Sequence, residues 1–196
     1  MSAARLDRRD VVARILAERG DTLVVTGLGS TTWDAAAAGD HRNNFYLWGG
    51  MGGAAMVGLG LANAQPGRRV LVITGDGEML MGLGALATIG TAAPANLAVA
   101  VVDNERYGET GMQETHTAHG VDLAAVAAGA GFAAAATLRT MDEVEAWIPR
   151  LLGGPGPLFA AVKVGIEPAP MALPLRDGAA IRARFRDAVL GGRAEE

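Results

Sequence analysis

The sequence predicts an α/β fold: a three-layer αβα domain on a mostly parallel sheet of about six strands. Two observations carry this expectation. Short apolar runs alternate with stretches of helical spacing along the whole chain, which is the pattern of βαβ units. Glycine-rich turns follow three of the apolar runs, after Val25, Trp48 and Thr74, where a parallel sheet would present its ligand-binding edge. No internal repeat and no linker divides the sequence. Residues 1–196 are therefore expected to form one domain with its core over about 20–165, followed by a proline-rich segment and a helix in 166–196.

The elements follow in order. Val11, Val12, Ile15 and Leu16 fall at helical spacing between Asp10 and Arg19, and Gly20 stops that helix. Leu23-Val24-Val25 reads as a buried strand, followed by a glycine-containing loop and a helix over Trp33 to Ala38. Phe45 to Trp48 is a second strand. Ala54 to Ala64 has helical spacing, with Gly58 and Gly60 expected to admit a close neighbour, and Gln65-Pro66-Gly67 is a turn. Arg69 to Thr74 and Leu97 to Val102 are buried strands joined by a helix of small residues, which ends at a turn marked by Pro94. Tyr107 to Gly120 is polar and shows no period. Asp122 suits the N-cap of a helix running to about Ala128. Phe132 to Thr137 is a weak strand, Met141 to Leu152 an amphipathic helix and Leu158 to Val164 a strand. Ala179 to Leu190 is a helix whose Arg182, Arg184 and Arg186 form a solvated face.

Composition narrows the chemistry. Half of the residues are hydrophobic but only 5% are aromatic, so the core must be built from small side chains packed closely. A net charge of −4 with mixed signs leaves no electrostatic footprint for nucleic acid. The chain has no Cys, which excludes thiolate catalysis and Cys-ligated clusters within it. The first ten residues lack the apolar stretch of a secretory signal, and no apolar run reaches the roughly 18 residues of a membrane span, so a cytoplasmic protein is expected.

Three glycine-rich loops on one sheet edge suggest an anionic ligand such as a diphosphate. Glycine admits close approach of backbone to ligand, and the start of a following helix offers unpaired N–H groups. Gly27-x-Gly29 is not a dinucleotide fingerprint, because Thr32 occupies its third glycine position, and no GK[ST] phosphate loop occurs. The apolar run ending at Thr74 delivers Asp76, and the run ending at Val102 delivers Asn104. In a parallel sheet these two hard oxygen donors reach the same edge, where with a diphosphate they suit Mg²⁺.

The motif Gly75-Asp76-Gly77, followed after an apolar strand by Asp103-Asn104, resembles the diphosphate-binding domain of thiamine diphosphate enzymes. Asp103 stands where Asn is commoner. The segments TGLGSTTWDAA, FYLWGGMGGAAMVGLGLA, GDGEMLMGLGALATI and DNERYGETGMQETHT further resemble the sulfopyruvate and phosphonopyruvate decarboxylases, which remove CO₂ from short, doubly anionic 2-oxo acids. The resemblance covers about Leu23 to Val164. It implies the thiamine diphosphate-binding fold, with thiamine diphosphate and Mg²⁺ as cofactors.

It also implies roles for particular residues. Asp76, Asn104 and the backbone carbonyl of Arg106 are the expected metal ligands. Thr26, Gly27, Gly29 and Ser30 match the first diphosphate-side loop. Gly50, Met51 and Gly52 match the loop that sets a bulky apolar residue under the cofactor, although Met51 also suits ordinary core packing. Gly75, Gly77, Glu78, Tyr107, Gly108, Glu109 and Thr110 complete the cofactor set. His116 is the candidate for moving a proton or binding the substrate's acidic group, and His119 and Arg106 are alternatives for the acidic group. The family activates its cofactor with a Glu from a second, pyrimidine-binding domain, and neither Glu18 nor Glu78 suits that task. The chain is therefore expected to be one subunit of a hetero-oligomeric 2-oxo acid decarboxylase, whose partner subunit supplies the Glu. The alternatives are a carboligase of the acetolactate synthase type, a subunit of a ferredoxin-linked oxidoreductase, which the lack of Cys disfavours, and a non-catalytic cofactor-binding module.

Overall fold

The computed structural model of the chain describes residues 5–191; the ends of the expected domain, 1–4 and 192–196, lie outside the described residues. Strands β1 (Leu23–Thr26), β2 (Asn44–Tyr46), β3 (Val70–Gly75), β4 (Leu97–Asp103), β7 (Ala134–Leu138) and β8 (Leu158–Lys163) form one sheet in the order β2-β1-β3-β4-β8-β7. Every pairing in it is parallel. The expected "mostly parallel" sheet is thus wholly so. The antiparallel ladder seen elsewhere joins β5 (Arg106–Tyr107) to β6 (Gln113–Glu114), inside the stretch whose sequence shows no period. Two-residue strands are too short to leave one.

Helices cover both faces. Against one face Val25, Val72, Val99 and Val101 pack with α3 (Ala54–Ala64), α5 (Gly84–Ala92) and α6 (Leu123–Gly129). Against the other, Val24, Ile73, Ala98 and Ala100 pack with α1 (Arg8–Ala17) and α7 (Met141–Gly153). Successive strand residues thus alternate between two cores, which is why the strands read as continuous apolar runs. The expected small-residue packing is concrete at Gly58, where a Cβ would run into Val72 Cγ2. Gly60 differs, since nothing lies within 4 Å of its Cβ position.

Local chemistry moves several boundaries. α1 begins at Arg8 because Asp7 caps it, accepting from the N–H groups of Arg9 and Asp10 at 2.7 and 3.2 Å. α2 (Ser30–Ala37) begins three residues before the expected Trp33, directly after Gly29 with φ 77°. The expected helix after Gly77 is two, α4 (Asp76–Met81) and α5, broken at Gly82, whose Cα faces the Gly52 carbonyl so closely that a Cβ would overlap it. α8 (Gly178–Leu190) does not present three solvated arginines. Arg184 reaches Asp40 at 2.6 Å and is only partly exposed, while Arg182 and Arg186 face solvent. Among the described residues no helix is long and apolar enough to cross a membrane.

The strand order reverses between β1 and β3, since β2 lies to one side of β1 and the later strands lie to the other. A crevice outside the carboxyl ends of β1 and β3 is the expected consequence. The glycine-rich loops after these strands open there.

Candidate functional site

Four loops and the first turns of two helices surround that crevice. The loop after β1 and the start of α2 contribute Leu28, Ser30 and Thr31. The β3–α4 turn contributes Gly75, Asp76, Gly77 and Glu78, and the end of β4 with the following segment contributes Val102, Asn104 and Arg106 to Thr110. Met51 enters from the loop before α3, and Arg8 from the first turn of α1. The two oxygen donors expected to meet, Asp76 and Asn104, line the same cleft.

Asp76 is 1% exposed and held from an unexpected quarter. Thr115 Oγ1 donates to its Oδ2 at 2.5 Å, and Thr117 Oγ1 lies 3.3 Å from the same oxygen and 2.8 Å from Asp103 Oδ1. A hydroxyl carries one proton, so Thr115 serves Asp76 while Thr117 serves Asp103. Lys163 Nζ neutralises Asp103 at 2.7 Å and Glu105 at 3.0 Å, and Arg5 also reaches Glu105 at 2.7 Å. Among the described residues no cation pairs with Asp76. Burial, and then the charge of Asp103, push its carboxyl up to about 6.

Asn104 is aimed by its own backbone. Its Oδ1 accepts from the Arg106 N–H at 3.0 Å, and Glu105 between them adopts φ 63°, in the left-handed region. The second lone pair of that amide oxygen stays free for a ligand. Arg106 is tied down by Glu114 at 3.0 Å and by the Glu105 carbonyl at 2.9 Å.

Glu78 forms the floor between the first two loops. It is 4% exposed, its Oε2 accepts from the Leu28 N–H at 2.9 Å, and its Oε1 and the neighbouring Thr74 Oγ1 are enclosed without a partner. A Cβ at Gly27 would run into Glu78 Oε2, and one at Gly77 would lie 2.6 Å from the Tyr107 ring. These glycines are therefore required by side chains pressed against the backbone.

The expected residues divide by position. Ser30, Met51, Gly75, Asp76, Gly77, Glu78, Asn104, Arg106, Tyr107, Gly108, Glu109 and Thr110 line the cleft. Thr26, Gly27, Gly29, Gly50 and Gly52 do not line it. The Thr26 hydroxyl is fully buried against Thr32 Oγ1 at 2.6 Å, and Gly29, Gly50 and Gly52 have φ of 77°, 69° and 91°, so they shape the loops. His116 starts an exposed 3₁₀ turn, His116–His119, outside the cleft wall, and His119 Nε2 meets Glu114 at 3.0 Å. Arg8, Leu28, Thr31 and Val102 line the cleft without having been expected, and Thr115 and Thr117 support Asp76 from outside it. The Thr-x-Thr spacing was visible in the sequence, but nothing local tied it to Asp76. Arg8 carried no signal at all.

The donor set fits a hard divalent cation: one buried carboxylate without a counter-charge and one amide oxygen, leaving most positions for water and ligand oxygens as Mg²⁺ prefers. Among the described residues no three His, Asp or Glu side chains gather to hold a metal on their own. The loops fit a diphosphate next to such an ion, because they bring backbone and small residues to the cleft.

Known proteins carry the same pattern. The family model for the thiamine pyrophosphate enzyme C-terminal TPP binding domain matches residues 27–162. Phosphonopyruvate decarboxylase of Streptomyces viridochromogenes is 40% identical over 168 residues, which are 85% of this chain but 41% of that protein. The chain thus spans about two fifths of that relative. Sulfopyruvate decarboxylase subunit beta of Methanothermobacter thermautotrophicus is 39% identical over 159 residues, 81% of this chain and 82% of that subunit. The thiamine diphosphate-dependent 4-hydroxybenzoylformate decarboxylase of Rhodococcus jostii RHA1 superposes with a TM-score of 0.71 at 19% identity, over 86% of this chain and 34% of that one; it shares the fold.

Proposed function

We propose a function from one established premise: the chain belongs to the thiamine pyrophosphate enzyme family, as its C-terminal TPP binding domain. It is the diphosphate- and metal-holding subunit of a heteromeric decarboxylase that releases CO₂ from a short 2-oxo acid of the sulfopyruvate or phosphonopyruvate type. Residues 1–196 act as one domain in it. The observation that carries this reading is the meeting of Asp76 and Asn104 in one cleft, with Asp76 buried and lacking a protein cation.

Each residue has a task in this reading. Asp76 Oδ and Asn104 Oδ1 hold Mg²⁺, with the Arg106 carbonyl as a third ligand. Ser30, Thr31 and the residues from Gly108 to Thr110 receive the diphosphate through backbone N–H and hydroxyl groups. Met51, 37% exposed at the cleft rim, supplies the apolar bulk that orients the reactive end. When bound, thiamine diphosphate supplies the electron sink that loss of CO₂ from a 2-oxo acid requires.

The partner is a separate chain carrying a pyrimidine-binding domain and its activating Glu. Two observations support it: the larger relative has more than half of its length outside the matched part, and the relative of similar size is named as a beta subunit. Within the cleft the carboxylates are Asp76, Glu78 and Glu109. The first is committed to the metal and the second to the Leu28 N–H.

The test is to titrate the purified chain with thiamine diphosphate and Mg²⁺, then assay CO₂ release from 3-sulfopyruvate, 3-phosphonopyruvate and pyruvate with and without the neighbouring-gene product. Mg²⁺-dependent binding, with turnover only in the complex, is expected. Full turnover by this chain alone would remove the two-subunit reading, and failure to bind the cofactor in either form would remove the function.

A further inference from the structure

Arg8 is the one cleft residue that comes from the first helix, and its situation is unusual. The side chain is 10% exposed, and its Nη1 donates to Asp34 Oδ2 at 2.7 Å. Asp34 is fully buried in α2 and already has a second arginine, Arg9, whose Nε donates to Oδ1 at 3.2 Å. One carboxylate thus faces two guanidinium groups, and the charge of Asp7 at the cap of α1 also acts on it. Burial pushes the Asp34 carboxyl up and outweighs the charge of Arg8 and the hydrogen bond from Arg9, which oppose the rise, while the charge of Asp7 adds to it.

The two arginines are not equivalent. Arg9 turns outward, and its Nη2 donates to the Pro170 carbonyl at 2.6 Å. Arg8 lines the cleft. A guanidinium has five N–H groups, and among the described residues Arg8 gives one hydrogen bond. Its other nitrogens are not among the enclosed atoms left without a partner, and the residue lines the cleft.

The position of the cluster selects its ligand. Asp34 lies one turn into α2, and Ser30 and Thr31 of the first turn of α2 line the cleft beside Arg8. α2 has eight residues, and Gly29 makes no side-chain cap; the Thr32 N–H donates to the Gly29 carbonyl at 3.0 Å, so the N–H groups of Ser30 and Thr31 are those left for an anion. The buried guanidinium and the helix start therefore line the same cleft. Among the described residues the one other cation of the cleft wall, Arg106, is held by Glu114.

We infer that Arg8, set by Asp34, is an oxyanion-binding residue of the cleft and takes the terminal phosphate of the bound diphosphate. The inference rests on the cofactor reading above. It adds a side-chain charge to a site otherwise made of backbone, hydroxyls and a metal. The cluster then has a purpose: Asp34 holds the Arg8 guanidinium in one rotamer at the cleft.

The test is calorimetric titration of the full chain with thiamine diphosphate plus Mg²⁺, with inorganic diphosphate plus Mg²⁺, and with thiamine monophosphate. Arg8→Gln should weaken both diphosphates about tenfold or more, the range of a lost charge-assisted hydrogen bond, and change thiamine monophosphate far less. The salt dependence of binding should flatten in the same variant. Arg9→Gln, which removes the other partner of Asp34, should leave both affinities within about twofold. Should Arg8→Gln fail to fold, the pair Arg8→Met with Asp34→Asn removes the buried charges together and should show the same loss. Wild-type affinity in a folded Arg8 variant would overturn the inference, as would an equal loss in Arg9→Gln. So would unchanged cofactor affinity with a raised KM for 3-sulfopyruvate but not for pyruvate, which would move Arg8 to the substrate. A wild-type chain that binds no diphosphate would instead defeat the cofactor reading itself.

Discussion

Thr115 Oγ1 donates a 2.5 Å hydrogen bond to Asp76 Oδ2, joining the segment after β6 to the start of α4, 39 residues away in sequence. Both residues are 1% exposed. This contact, with Thr117 bridging toward Asp103, fixes the orientation of a carboxylate that has no protein counter-charge. The electrostatics of the candidate metal position follow from it.

Asp76 should make the metal-free chain less stable as pH rises. Its pKa in the fold, about 6, lies above the ordinary 3.8, so the fold favours the protonated form. That contribution is fully present below about 3.8 and is lost as pH rises through 6, a swing on the order of 2–3 kcal/mol. Asp76→Asn should therefore raise the Tm of the chelator-treated protein at pH 7.5, abolish Mg²⁺-dependent cofactor binding and show little change at pH 4. Thermal unfolding of both proteins with and without Mg²⁺ checks this; parallel pH profiles would refute it.

Thr115→Val should cost about 1–3 kcal/mol, because the buried Asp76 carboxylate loses its donor while the volume is kept. Mg²⁺ affinity should fall by about tenfold through the loss of orientation of Asp76. Thr115→Ser should restore both, as read by urea denaturation and metal titration.

Lys163→Met should be among the most destabilising single changes near the site, by about 3–5 kcal/mol, since it leaves Asp103 buried without a cation. Pairing it with Asp103→Asn should recover a large part of that loss. A double variant no more stable than Lys163→Met would show that the ion pair is not the cause.

Gly82→Ala and Gly60→Ala should separate two uses of glycine. A Cβ at Gly82 would overlap the Gly52 carbonyl, so the loop carrying Met51 must move, with a loss of about 2–4 kcal/mol and weaker cofactor binding. A Cβ at Gly60 meets nothing within 4 Å, and the substitution should stabilise the exposed helix by up to about 1 kcal/mol. Chemical denaturation of both variants checks the contrast.

Much of the fold and site could be read in the sequence because the signals were local. Strands buried on both faces are uninterrupted apolar runs, so Leu97–Asp103 declared itself, and helix α3 fell at its expected bounds. In a parallel sheet the ends of such strands share an edge, so the sequence by itself determined that Asp76 and Asn104 would meet. It could not determine what surrounds them. Thr115 and Thr117 reach Asp76 only because the β5–β6 ladder turns that segment back over the end of β3, and two-residue strands have no pattern to read. Arg8 enters the cleft because α1 packs along α2, a contact between helix faces that helical periodicity leaves unspecified. Local spacing decided which oxygens face the ligand; tertiary packing decided the charges around them, because electrostatic interaction depends on distance in space and burial, neither of which is encoded in separation along the chain.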